Sequence, residues 1–298
     1  MLEYGEKDST LKSILTLFGI ALVSLIFFFQ WNVWALLEEA STSFTTSWLP
    51  MPVVALWRLF CLLIGGSAII YMLRMKTGTM VVIDYETREE KTLHPIGLQK
   101  FVTFSSWNLL GNFTYFLIAT LLASSVLFEF SLPTWLHIFQ VLFFATALGS
   151  AFLTSTIVRY VILPGELRQG RNHDHQFLFH NQMMHNFATL FLAVEIIFIQ
   201  PELHPSFALF GLLIGLLYAL FAYPFATFGG GYYVYGFIDP RLRYAPFLLS
   251  GLAGAISLFY LGVWLVTQIM PLSILLSSLV LIVWVCLILQ FRAGEFEG

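Results

Sequence analysis

His180–Phe198, HNQMMHNFATLFLAVEIIF, is apolar over a length that enters a bilayer, yet it carries His185 near one end and Glu195 within its apolar body. A charged side chain at the centre of a membrane helix costs about 2.5–3.5 kcal/mol on insertion scales, so such residues face protein rather than lipid and mark a pathway or a reactive site. The stretch therefore points to a membrane protein and to the part of it where chemistry is to be sought.

Working outward, the chain has 298 residues, 58% hydrophobic and 10% charged, with a mean hydropathy of +0.83. Soluble domains carry about 25% charged residues, so this balance belongs to an integral membrane protein. Crossing a hydrocarbon core about 30 Å thick takes about 20 apolar residues in a helix. Runs of that kind lie at 13–36, 53–73, 101–123, 135–161, 179–199, 207–228, 246–268 and 272–291, which predicts an all-α polytopic bundle of about eight transmembrane helices.

The cations test the count, because Lys and Arg accumulate in cytoplasmic connections. Lys7 and Lys12 precede the first run; Arg74, Lys76, Arg88, Lys91 and Lys100 belong to the second connection; Arg159, Arg168 and Arg171 surround the fourth; Arg241 and Arg243 lie in the sixth; Arg292 follows the last run. Odd-numbered connections have none, so both termini are expected in the cytoplasm. Arg58 alone breaks the pattern. It sits about a turn inside the outer end of the second run, where its stem is expected to snorkel outward.

The chain divides into 1–50, with the first helix; a core at 51–270, with cytoplasmic loops at 74–100, 163–178 and 229–245; and 271–298, with the last helix and a polar tail. Within the first loop, TMVVIDYETREEKTLHP places two β-prone runs around a polar turn at Glu86, Thr87 and Arg88, which predicts a hairpin. The second loop, LPGELRQGRNHDHQF, reads as mobile. The third opens with FGGGYYVYGFIDPRLR. It reads either as a flexible helix end followed by an interfacial aromatic belt or as a re-entrant wall of a pocket. No basic stripe suits a nucleic acid, and Cys61 and Cys286 both fall in apolar runs, so no disulfide is expected.

At 3.6 residues per turn, Asn181, His185, Thr189 and Leu192 share one face of the fifth helix, flanked by Glu195. Glu195 lies about 15 Å beyond His185 at 1.5 Å per residue, and an interior carboxyl at that depth is expected protonated or paired. The third helix begins LQKFVTFSSWNLLGNFTYF, with Thr103, Ser105 and Ser106 entering at about the depth of His185. A hydroxyl becomes a useful nucleophile only when an adjacent base takes its proton. The same hydroxyls could equally bond the preceding turn of their own helix, and His185 could simply bond a neighbouring helix.

Three segments, KFVTF at Lys100–Phe104, NQMMHNFATLFLAVE at Asn181–Glu195 and GYYVYGF at Gly231–Phe237, together resemble the FAR-17a/androgen-induced-gene family of membrane threonine hydrolases. The resemblance implies hydrolysis of fatty acid esters of hydroxy fatty acids, with the family's nucleophile on Thr103 and its histidine on His185. Asn181, Met184 and Glu195 match positions around that histidine, and Gly231, Val234 and Tyr235 match the family's Gly-x-Trp-Val-Tyr-Pro stretch. Tyr233 stands where the family has Trp, Gly236 where it has Pro, and Gln182 where it has a second His. Aligning through Tyr115 and Phe116 instead would put Ser105 at the nucleophile position. The likeness covers the second to seventh helices, so a six-helix core would carry one added helix at each end. Asn181 or Asn108 could supply the oxyanion donor that such a site requires.

A metal site is not expected: among His173, Asp174, His175, His180 and His185, the last two are five apart, about 140° around an α-helix. No cofactor is expected either. The competing class is a lipid- or small-molecule-binding protein or a transporter, with His185 and Glu195 lining the path.

Overall fold

The computed structural model describes residues 3–5, 8–45, 47–76 and 78–292; Lys7 and the polar tail at 293–298 lie outside the described residues. It is an all-α bundle of seven helices long and apolar enough to cross a membrane, with an eighth, shorter one. The seven are α1 (Thr10–Gln30), α3 (Met51–Arg74), α4 (Phe104–Leu127), α5 (Thr134–Arg168), α6 (Phe179–Ile199), α7 (Pro205–Gly229) and α8 (Ala245–Thr267), the eighth is the 15-residue α9 (Ile274–Ile288), and a further short helix, α2 (Val33–Ser41), follows α1.

Local chemistry sets several of these boundaries. Prolines open α3, α7 and α8 in the first turn, where a missing N–H costs nothing. Ser273 caps α9 by accepting from the Leu276 N–H at 3.2 Å. The first apolar run stops earlier than its composition suggests, because Asn32 adopts φ 47° and turns the chain from α1 into α2. The second loop is likewise shorter than expected, since α5 runs on to Arg168 through Pro164. Pro164 can neither donate to the preceding turn nor tolerate a carbonyl there, and the π turn Val158–Ile162 immediately before it absorbs the mismatch.

Helices α5 and α6 form the centre, with 72% of their apolar windows buried against 17% for α1. Packing is close where residues are small: a Cβ on Gly149 of α5 would meet the Ile256 carbonyl of α8 at 2.6 Å, and one on Gly211 of α7 would meet the Ser257 nitrogen at 2.8 Å. Backbone approach of this kind is how membrane helices gain dispersion contacts without a hydrophobic drive between them.

At the cation-rich end the predicted hairpin forms from β1 (Met80–Asp84) and β2 (Glu90–Leu93), pairing Met80 with Leu93 and Ile83 with Glu90. A third strand, β3 (Tyr232–Tyr233), adds antiparallel to β1 with Ile83 opposite Tyr233, so the glycine-rich stretch ends in a sheet edge. Gly231, at φ 71°, makes the left-handed turn into it. The loop is fastened by Arg241, whose Nε and Nη2 donate to the Asp239 carboxylate at 2.9 and 2.6 Å while Nη1 donates to the Tyr85 carbonyl at 2.6 Å. Tyr4 donates to the same carboxylate at 3.0 Å. Its own burial, then the Asp239 charge, pushes that phenol up to about 12.

Candidate functional site

Helix α4 starts with Thr103 in the N-cap position. Its backbone is extended at φ −84°, ψ 148°, and its Oγ1 accepts from the Ser106 N–H at 3.1 Å. The hydroxyl oxygens of Thr103 and Ser106 are 2.5 Å apart, and Ser106 Oγ donates to the Lys100 carbonyl at 2.7 Å. Since the Ser106 proton is committed to that carbonyl, the Thr103 hydroxyl is the donor between the two. Lys100 closes the turn by donating from Nζ to the Met72 and Met75 carbonyls at 2.9 and 2.8 Å, at the end of α3. Burial holds its ammonium below the usual lysine range.

Tyr235 approaches the same helix start from the other side. Its phenol faces the Ser105 hydroxyl and the Phe104 and Ser105 N–H groups; burial raises its pKa and these donors partly offset the rise. Those two N–H groups open a helix and so have no acceptor within it. Tyr218 of α7 donates to the Val102 carbonyl at 2.9 Å and packs its ring on Phe104 at 5.3 Å between centroids. Tyr233, by contrast, is buried in the sheet beside Tyr85 and Tyr223, a structural position away from Thr103.

His185 sits in a π turn, Met183–Phe187, that interrupts α6. Among the described residues, π turns also occur in α5 at Val158–Ile162 and in α7 at Phe225–Gly229, all at the cation-rich end. Such turns are rare and gather at functional sites. Here neighbouring helices bind two carbonyls of the turn: Asn108 of α4 donates to the Met184 carbonyl at 3.1 Å, and Ser155 of α5 donates to that of His185. Thr189 in turn donates to Ser155 Oγ at 2.6 Å. The π turn also shifts the phase of the face expected from an unbroken α-helix. Asn181 now donates to the His175 carbonyl at 2.7 Å.

The His185 ring is 7% exposed and makes no hydrogen bond to any described residue; its Nδ1 is buried without a partner. It opens on a small chamber whose polar walls are Ser155, Arg159, Gln176, Gln182, Asn186 and Gln290 and whose apolar walls are Val158, Leu163 and Phe177, with room for about one water molecule. No hydrogen bond joins His185 to Thr103. The structure therefore brings Asn108 against the His185 turn and Tyr235 against the Thr103 turn, but leaves the two proposed reactive groups in separate networks. Ser106, Ser155 and Arg159 are further polar groups of this region. Only their hydroxyl or charge was visible in the sequence, and their role follows from which helix lies opposite.

Glu195 belongs elsewhere. Its Oε1 accepts from Arg58 Nε and from the Tyr115 hydroxyl, both at 2.8 Å, while Arg58 Nη2 donates to the Phe44 carbonyl at 3.1 Å. Arg58 is 1% exposed, so the expectation that it snorkels outward is corrected: the interior carboxylate and two carbonyls offer it better ligands than the interface does. Glu195 is thus paired, and it does not face the His185 chamber.

Among the described residues no group of three or more His, Cys, Asp or Glu is arranged to hold a metal ion. Comparison of the chain with protein-family models, with curated proteins and with solved structures finds no match in any of the three.

Proposed function

We propose that this integral membrane protein is a lipid ester hydrolase, with Thr103 as nucleophile, His185 as base and fatty acid esters of hydroxy fatty acids as its substrates. One observation carries the reading: the three segments that resemble the threonine hydrolases, far apart in the chain, lie about the first turns of α4, Tyr235 against Phe104 at its start and Met184 held by Asn108 one turn further along the same helix. From the Lys and Arg excess we read this end of the bundle, and both termini, as cytoplasmic.

In this mechanism Thr103 Oγ1 attacks the ester carbonyl carbon and its proton passes to His185. The tetrahedral oxyanion is met by N–H donors: Asn108 and Asn181 already donate to carbonyls, and the Phe104 and Ser105 amides at the start of α4 would serve once the Tyr235 phenol that they face gives way. The leaving alcohol takes the proton from His185, and water then releases the acid from the acyl-threonine. Substrate entry must first break the Thr103–Ser106 bond and bring the hydroxyl to the imidazole. Acyl chains would reach the site laterally from the lipid.

A second reading, a non-enzymatic lipid- or small-molecule-binding protein or a transporter, draws on the unpartnered His185 Nδ1 above a polar chamber. Because Glu195 is locked to Arg58, His185 alone would line that path. Fluorophosphonate labelling with peptide mass spectrometry on wild type, Thr103→Ala, Ser105→Ala and His185→Ala separates the readings. The hydrolase reading expects an adduct on Thr103 that disappears with His185→Ala. An adduct on Ser105 moves the nucleophile by two residues. No adduct on folded protein favours binding or transport.

A further inference from the structure

The chamber of His185 has one wall that does not come from the central helices. After α9 the chain turns extended at Leu289 (φ −83°, ψ 144°), and Gln290 lies against the chamber. Three core residues bind backbone here: Arg159 and Asn186 reach the segment itself, and Arg159 and Tyr160 hold the last turn of α9 that leads into it. Arg159 Nη1 donates to the Cys286 carbonyl at 3.1 Å and to that of Leu289. The Tyr160 hydroxyl donates to the Leu287 carbonyl at 2.6 Å. Asn186 forms a two-point amide pair with Gln290, donating to its carbonyl at 2.8 Å and accepting from its N–H at 3.0 Å. Phe291 then packs its ring on Phe187 at 5.4 Å between centroids.

The last carbonyls of a helix have no intrahelical donors and carry the negative end of its dipole. For α9 these carbonyls are met in trans by a guanidinium and a phenol from the π turn of α5, while the Asn186 amide, from the π turn of α6 that carries His185, pairs with Gln290 just beyond the helix end. The contacts are few, polar and concentrated at one end of the peripheral helix, and the group directly beneath them is a buried imidazole with an unused nitrogen.

We propose that Leu289–Phe291 is a lid on the His185 chamber, latched to the core by Arg159 and Asn186 while Tyr160 holds the last turn of α9 beside it, and that its release is what gives a ligand access to His185. The lid acts on access to the imidazole, so the inference holds for catalysis and for binding alike.

Diethylpyrocarbonate modification of the full-length protein in nanodiscs, followed by peptide mass spectrometry, tests it. The exposed His94 serves as the reference. His180, which is buried on the same helix with its ring against Tyr71 and does not bound the chamber, reports on loosening of the bundle. In wild type His185 should react at least tenfold more slowly than His94. Deletion of residues from Leu289 onward should raise the His185 rate at least tenfold, and Phe291→Ala, which loosens the segment without removing a chamber wall, should raise it in the same direction, while His180 stays slow in both variants. An unchanged His185 rate in the deletion variant overturns the lid. So does a rise shared by His180 in both variants, which would make the segment a strut of the bundle instead of a cover.

Discussion

Around Arg58 the buried charges are matched. The guanidinium and the Tyr115 phenol converge on Glu195 Oε1, two backbone carbonyls take one N–H each from Nη1 and Nη2, and Glu195 Oε2 lacks a bonded partner. Around His185 the arrangement is reversed. The backbone of the turn is secured from two sides by Asn108 and Ser155, while the side chain is left without a bond. A full charge in an apolar interior has to be neutralised by neighbours, and the neighbours thereby become joined: α3, α4 and α6 are tied at one point. An uncharged ring tolerates an empty position at about 1–3 kcal/mol, which is small enough for a protein to hold it open for something that comes and goes. The first cluster is a joint and the second is an opening.

The sharpest way to break this distinction is to remove one half of the joint. Arg58→Met should destabilise the protein by about 3–5 kcal/mol by leaving Glu195 uncompensated, and Arg58→Met combined with Glu195→Gln should recover much of the loss. Thermal unfolding of the three proteins in the same detergent measures both. A single variant that melts like wild type would mean that the pair joins nothing.

At the start of α4 the effect should be smaller and should separate structure from chemistry. Thr103→Ala removes the helix cap and should cost about 1 kcal/mol, whereas Thr103→Ser keeps the cap and should stay close to wild type. Unfolding of both variants gives the comparison. Equal losses would show that the methyl group, not the capping oxygen, is what the position requires.

The least change is expected at the opening. His185→Leu loses no side-chain hydrogen bond and removes an unsatisfied buried nitrogen, so its stability should lie within about 1 kcal/mol of wild type, in either direction. Covalent labelling at Thr103, if the hydrolase reading holds, should vanish in the same protein. A loss as large as that of Arg58→Met would place His185 among the structural groups and end the contrast.

How much of this was legible beforehand differs from residue to residue. The eight apolar runs were legible because spanning a bilayer is a requirement on consecutive residues. The hairpin was legible for the same reason, its turn being local: Asp84 Oδ1 accepts from the Glu86 and Thr87 N–H groups, both at 3.0 Å. Glu195 was readable as a paired carboxyl, but its partner was not. Arg58, 137 positions away, had the same composition signal as an interfacial arginine, and only the packing of α3 against α6 shows which it is. The π turn at His185 left no sequence mark, since its stability comes from Asn108 and Ser155 on other helices.

By itself, then, the sequence determined a membrane-spanning helical bundle, the end at which its cations collect, and the short list of ionisable and hydroxyl groups it could use, because apolar length and charge spacing act along the chain. The tertiary structure alone decided that Arg58 answers Glu195, that Thr103 rests on Ser106, and that Gln290 lies over His185. Each of these depends on which helices become neighbours, and that is settled by close packing and by the need of most buried polar groups for a partner, wherever in the chain the partner stands.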